Sequence, residues 1–248
     1  DEIAREMFIR AKTMPKDSEG SASAINILND ALGLIEDEQN VNPNIKAAIH
    51  FERAKIFDDY DYVSYALRDY FEATKASDLN LKAQAFYKSG SLYDEFKEYE
   101  PALDNYLSSV AYSGEADNMN AQSKVLVKIA SMFTKQFDSD NMKQYTNLAI
   151  DAAKESENDD TIARTYSQSA QNYQYLKEYK EALENYKNAL AIFSRTDETF
   201  EQTAHNYEQA ALVMEKLGNS AKAAKLQAKA NLYYQKALQQ QEQPDIAS

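Results

Sequence analysis

The sequence predicts an all-α solenoid of about twelve helices arranged in antiparallel pairs, and three observations support this fold class. Only 5 glycines and 4 prolines occur in 248 residues, and these are the residues that interrupt helices and form tight turns. Apolar residues recur three and four positions apart over stretches of about 15 residues, as on one face of a helix. A ten-residue stretch also occurs twice in similar form, as KEYEPALDNY at 97–106 and as KEYKEALENY at 177–186.

Both stretches belong to longer repeats. The segment that starts at Ala83 aligns without a gap with the segment that starts at Ala163, and the segment from Ser123 fits the same frame. Units therefore begin at 83, 123 and 163, which gives a period of 40 residues. Two further copies begin at Ala47 and Ala204, and a degenerate copy opens the chain. We predict one repeat domain over 1–248, with units near 1–42, 47–82, 83–122, 123–162, 163–203 and 204–241.

Each unit predicts two amphipathic helices that are joined by a short polar break. One such pair cannot bury its apolar stripe alone, so neighbouring pairs are expected to stack and share a core. The Gln-rich stretch LQQQEQ is expected to continue the last helix as a polar cap on the final repeat. The expected pairs are 2–14/21–37, 43–58/62–77, 79–95/99–113, 118–135/139–156, 159–176/179–194 and 198–216/219–241.

Two segments carry a resemblance to a known family. YSQSAQNY followed by Ala182, Tyr186 and Ala189, and FYKSGSLY followed by Ala102 and Tyr106, resemble the tetratricopeptide repeat motif, and the resemblance covers residues 47 to about 233. The period of 40 residues departs from the usual 34, and the family's proline near the end of each repeat is absent. Such longer periods are similar to those of kinesin light chains, soluble NSF-attachment proteins and bacterial Rap-type peptide sensors. The resemblance implies a right-handed superhelix whose first helices line a concave groove for a protein or peptide.

Composition limits the partners and the compartment. Forty acidic residues against 27 basic ones give a net charge of −13, so binding to nucleic acid is not expected. The absence of cysteine excludes disulfides and fits a cytoplasmic location without requiring it. No apolar run approaches the roughly 20 residues that span a bilayer. Because the chain begins at Asp1, a signal peptide or anchor removed from a longer form stays an open alternative.

The sequence offers no catalytic grouping. His50 and His205 fall in distant repeats, which argues against a two-histidine metal site and favours packing or surface roles. Acidic clusters at 58–61 and 157–160 lie at helix ends, where solvated caps are expected rather than calcium ligands. We therefore expect no enzyme activity, no cofactor and no metal.

Acids are absent from most of each first helix in the three central repeats, because none occurs in 79–93, 118–137 or 161–177. Lysines and one arginine do occur there, which predicts a basic or neutral groove inside an acidic body. Burial on both sides of these helices would also exclude acids, and this simpler explanation stays open. Helical spacing selects the side chains expected in the groove, namely Gln84, Tyr87, Lys88, Ser91, Lys124, Val127, Lys128, Ser131, Arg164, Ser167, Gln168, Gln171 and Tyr175.

These observations favour a non-catalytic module that binds a partner segment in its groove, as a scaffold or as the sensor part of a larger protein. The expected partner carries acidic groups or a free C-terminus. The paired Lys and Asn of chaperone-binding family members are not reproduced, which argues against a carboxylate clamp. The alternative is a structural array that self-associates and holds no ligand in the groove.

Overall fold

The computed structural model describes residues 2–36, 42–195 and 199–242 of the chain. Within these ranges it contains helices and no strand, which confirms the all-α prediction. The helices are α1 (Glu2–Lys12), α2 (Ser18–Glu36), α3 (Pro43–Asp59), α4 (Val63–Ala73), α5 (Leu79–Glu95), α6 (Tyr99–Glu115), α7 (Met119–Lys135), α8 (Ser139–Glu155), α9 (Asp159–Tyr175), α10 (Tyr179–Phe193), α11 (Phe200–Lys216) and α12 (Ser220–Glu242).

Most helices agree with the predicted ranges within two or three residues, and α4 is the main exception. It was expected to reach residue 77 but ends at Ala73. The N–H groups of Ser77 and Asp78 both donate to Asn44 Oδ1 at 2.9 Å, which turns the chain away from the helix axis. Asp78 then accepts a hydrogen bond from the Leu81 N–H and caps the start of α5. The end of the segment that follows α4 is therefore bound to Asn44 of α3 rather than continuing the helix.

A common turn joins the helices of several pairs. One residue takes a left-handed conformation, as Lys97 (φ 61°), Phe137 (φ 59°) and Lys177 (φ 62°) do. The next residue then donates its N–H to the carbonyl five positions back, which satisfies an end group of the first helix. These bonds join Glu98 to Tyr93, Asp138 to Phe133 and Glu178 to Tyr173, with N–O distances of 2.9, 3.0 and 2.9 Å.

The chain divides into two compact units, Asp1–Asn118 and Met119–Ser248. The first contains α1 to α6, and its core includes Leu28, Ile35, Ile49 and Tyr70. The second contains α7 to α12, with a core around Met142, Tyr173 and Tyr186. The boundary lies near the predicted limit between repeats 83–122 and 123–162. That all the repeats form one domain stays a prediction.

Within each unit, repeat positions with small residues allow large rings to pack. Gly90 of α5 lies against Tyr106 of α6, so closely that an added Cβ would come within 2.8 Å of the ring. In the second unit, Ala170 of α9 and Tyr186 of α10 take the corresponding places and are both fully buried. Small first-helix residues therefore pack against second-helix tyrosines in both units.

Candidate functional site

The thirteen side chains predicted to line a groove fall in both units. Four lie on α5 in the first unit, and the other nine lie on α7 and α9 in the second.

On α5, Lys88 contacts another side chain of the first unit. Lys88 Nζ lies 3.4 Å from Asp58 Oδ2, and the same carboxylate oxygen accepts the Tyr70 hydroxyl at 3.1 Å. The expectation that Asp58 is a solvated cap is therefore corrected, because this side chain joins α3 to α4 and α5. Tyr87 packs against Tyr106 with ring centroids 6.0 Å apart, and burial raises its pKa. Gln84 is exposed, and Ser91 accepts a hydrogen bond from the Tyr106 hydroxyl at 3.4 Å.

On α7, Lys124 and Lys128 are exposed and lie one turn apart. Ser131 follows on the same side and donates a hydrogen bond to Asn172 Oδ1 of α9 at 3.0 Å. Val127 differs from its prediction, since its side chain is 3% exposed and packs in the interior. It shares the apolar side of α7 with other buried residues, and we correct its assignment to the exposed face.

On α9, four of the predicted side chains are exposed, namely Arg164, Gln168, Gln171 and Tyr175. They are spaced four, three and four residues apart and so form one stripe along the helix. Ser167 is buried, which corrects its assignment to this surface. The charge of Arg164 is partly compensated, because its Nε donates to Asp160 Oδ2 at 2.6 Å.

A pocket of 340 Å³ lies between α9 and α11 in the second unit. Gln171 Nε2 lies 3.4 Å from His205 Nε2 across it, and Asn206 also contributes to its lining. Glu201 lines the same pocket as Arg164, so its electrostatic character is mixed rather than basic. The volume is at the small end of the range for ligand sites, which suits a few side chains or a short backbone segment.

Polar side chains connect the neighbouring first helices beneath this surface. Ser123 of α7 and Thr165 of α9 hydrogen bond at 2.8 Å, and both are buried. Asn172 Nδ2 and Asn206 Oδ1 are also buried, and neither has a hydrogen-bond partner among the residues that the structure describes. Sequence reasoning missed Ser123, Asn172 and Asn206. Their signal was a polar residue at a position where the helical period requires burial.

The first unit contains a buried ionic network that was also missed. Asp69 of α4, 2% exposed, accepts hydrogen bonds from Arg53 and from His50 Nδ1 of α3. Burial by itself raises the pKa of Asp69, but the hydrogen bonds and charges of Arg53 and His50 outweigh burial and hold that pKa below its usual value. His50 therefore packs in the interior, as expected, and its ring is hydrogen bonded to a buried carboxylate.

The described residues provide no metal-binding cluster of His, Cys, Asp and Glu side chains. His50 lies on α3 in the first unit and His205 lies on α11 in the second unit. Neither unit therefore contains a pair of histidines that could bind a metal together. No helix in the described ranges combines the length and the apolar character that crossing a bilayer requires.

Comparison with known proteins finds a family match within the second unit. The family described as "Tetratricopeptide repeat" matches residues 161–231, which extend from α9 into α12. No curated protein sequence matches the chain significantly.

Solved structures match over most of the chain. BtubC (BKLC) from P. vanneervenii has a TM-score of 0.73 and 17% identity, over 92% of this chain and 94% of its own. The apo form of RapI has a TM-score of 0.70 and 17% identity, over 84% of this chain and 58% of its own. A Rap protein complexed with Competence and Sporulation Factor has a TM-score of 0.57 and 16% identity, over 94% of this chain and 71% of its own. At these identities the likeness shows the fold alone, and the resemblance predicted from the repeats is confirmed.

Proposed function

We propose that this chain, which is built from helical repeats of the tetratricopeptide type, is a non-catalytic module that binds a partner peptide along α7, α9 and α11 of its second unit. The observation that carries the proposal is the pocket between α9 and α11, where Gln168, Gln171 and His205 converge. These side chains donate and accept hydrogen bonds and none is a nucleophile paired with a base, so the pocket suits recognition rather than catalysis.

Buried amide groups support a peptide as the ligand. Asn206 lines the pocket and Asn172 lies at the contact of α7 with α9. Among the described residues, neither Asn206 Oδ1 nor Asn172 Nδ2 has a hydrogen-bond partner. An extended peptide presents N–H and C=O groups in alternation, so it carries both the donor that Asn206 Oδ1 lacks and the acceptor that Asn172 Nδ2 lacks. A ligand that brings these partners removes the cost of two unsatisfied buried groups.

The lysines of α7 support a preference for an acidic segment or a free C-terminus. Lys124 and Lys128 are exposed on the side of α7 where Ser131 contacts α9. Partly exposed ion pairs contribute little affinity each, so these charges would set partner choice and salt sensitivity. One relative of similar fold is described as a complex of a Rap protein with Competence and Sporulation Factor. A cytoplasmic location belongs to the same proposal and fits the lack of cysteine.

Selection of random displayed peptides on the immobilised chain tests the proposal. We expect enrichment of peptides with acidic residues, and calorimetry should show at least tenfold weaker binding to the double variant Gln168→Ala/Gln171→Ala. Gln144→Ala, on the exposed side of α8, is the matched control and should bind as the wild type does. Failure to enrich any peptide, together with a concentration-dependent mass in light scattering, would favour the self-associating alternative.

A further inference from the structure

Phe137 is an unusual residue for the turn between α7 and α8. Its backbone is left-handed, with φ 59°, and its side chain is 72% exposed, the highest value among the large apolar side chains that the structure describes. Bulky residues rarely adopt this conformation, because the Cβ atom crowds the backbone. The other left-handed positions of the described chain are occupied by polar or glycine residues, namely Asp61, Lys97, Asp117, Glu157, Lys177 and Gly218. Neither backbone preference nor burial explains a phenyl ring at this position.

The ring of Phe137 packs against a second exposed ring. Its centroid lies 5.7 Å from that of Tyr175, at an interplanar angle of 38°, and Tyr175 is 55% exposed. Fixed contacts support the pair from the adjoining helices. Ser139 Oγ donates to Glu178 at 2.6 Å, and Lys143 Nζ lies 2.8 Å from the same carboxylate. The two rings therefore form a small apolar surface, and hydrogen bonds and an ion pair connect the helices next to it.

Two polar stripes end at this aromatic pair. Lys124, Lys128, Ser131 and Lys135 follow one another along α7 at intervals of four, three and four residues, and Phe137 lies two residues beyond Lys135. The stripe on α9 has the same spacing and ends at Tyr175 itself. Lys135 and Lys177 are both exposed, each two residues from one of the rings in the sequence, and add positive charge at this end of the two stripes.

We propose that Phe137 and Tyr175 anchor one apolar side chain of an acidic peptide and thereby fix its register along α7 and α9. The inference rests on the proposed function, because it places a specific contact at the end of the proposed peptide site. Exposed aromatic rings that become covered on binding are typical of the few contacts that carry most of the affinity, whereas the lysines select for acidic neighbours. Residues kept in unfavourable backbone conformations occur preferentially at such functional positions.

Variants of Phe137 separate a binding role from a structural one. Phe137→Gly should raise Tm by about 2–4 °C, because glycine suits the left-handed turn, as at Gly218. The same variant should weaken binding of the peptides selected on the wild type at least tenfold. Phe137→Lys should weaken binding similarly, since lysine already occupies the turn at positions 97 and 177. A structural role predicts the opposite pattern, with a lower Tm and unchanged affinity.

The peptides provide the second half of the test. Peptides selected on the wild type should share one apolar position, and replacing it by alanine should weaken binding to the wild type but not further to Phe137→Lys. Phe96→Lys is the matched control, since Phe96 is exposed at the end of α5 in the other unit, and this variant should bind normally. Selected peptides without a shared apolar position, or equal binding by Phe137→Lys, would overturn the anchor and leave the proposed function standing. If the wild type selects no peptide, both inferences fall.

Discussion

The guanidinium of Arg53 and the carboxylate of Asp69 form a bidentate ion pair between α3 and α4. Arg53 Nε lies 2.6 Å from Asp69 Oδ2, and Arg53 Nη2 lies 2.7 Å from Asp69 Oδ1. The carboxylate also accepts from His50 Nδ1 at 2.9 Å, and Arg53 Nη1 donates to Asn29 of α2. Three helices of the first unit are thus joined through one network centred on the buried Asp69, and this network should have a measurable effect on stability.

Replacing the buried carboxylate should destabilise the protein strongly. Asp69→Asn leaves the Arg53 charge without its partner, and we expect a loss of about 3–5 kcal/mol in the free energy of unfolding. Urea denaturation followed by circular dichroism measures it. The control is Lys75→Met, which breaks the exposed pair with Glu72 and should cost less than about 1 kcal/mol. Similar losses in the two variants would contradict the importance of the network.

The same pair predicts how stability depends on acid. The folded-state pKa of Asp69 lies below its ordinary value of 3.8, so the folded protein holds this proton less tightly than the unfolded chain does. The stabilisation is therefore present above the unfolded-state pKa and is lost as pH falls through the folded-state pKa. Denaturation midpoints from about pH 5 downwards should fall more steeply for the wild type than for Asp69→Asn. Parallel curves would assign the acid sensitivity to other carboxylates.

Two equivalent tyrosines should respond differently to loss of the hydroxyl group. Tyr186 donates to Gln174 Oε1 at 2.7 Å, whereas Tyr106 reaches Ser91 Oγ only at 3.4 Å, and burial raises the pKa of both. Tyr186→Phe should cost about 1 kcal/mol of stability, and Tyr106→Phe should be close to neutral. Chemical denaturation of the two variants measures both losses of stability. Equal losses would show that the length of the hydrogen bond does not determine how much it stabilises the protein.

Two glycines within helices should have opposite effects when changed to alanine. Gly33 of α2 has no neighbouring atom within 4 Å of an added Cβ, so Gly33→Ala should stabilise the protein by about 0.5–1 kcal/mol. At Gly90 the Cβ would lie 2.8 Å from the buried Tyr106 ring. The destabilisation caused by overpacking, about 1–3 kcal/mol, should exceed the stabilisation from the higher helix propensity of alanine. Thermal melts of the variants test both signs, and stabilisation by Gly90→Ala would show that the ring moves readily.

Charge reversal on α7 should weaken binding of an acidic peptide. Lys124→Glu/Lys128→Glu should reduce the affinity of selected acidic peptides far more than Lys180→Glu/Lys187→Glu, which changes two exposed lysines of α10. Lys143 is unsuitable as a control, because it pairs with Glu178. The wild-type affinity should also fall moderately with added salt. Calorimetry at low and moderate salt measures both effects, and equal losses in the two double variants would argue against a site on α7.

The candidate site was predictable only in part. Spacing along a single helix identifies Lys124, Lys128, Gln168 and Gln171 as exposed side chains, because the helical period determines which positions share a face. The same reasoning failed for Val127, whose position next to Lys128 does not reveal that its side chain turns into the core. It also missed Phe137, because helical spacing ends with α7 and does not reveal whether the side chain of a turn residue is exposed.

The sequence by itself determined the helix pairs and their repetition. Apolar residues three and four apart, together with small residues in fixed places, specify a pair of packed helices in each sequence repeat. This pattern is a short-range property of the chain. Tertiary structure alone decided which polar residues meet. Asp69 takes Arg53 and His50 as partners, Lys88 takes Asp58, and Ser131 takes Asn172. These partners lie on different helices, so their contact depends on how the helices pack and turn against one another, which no local period specifies.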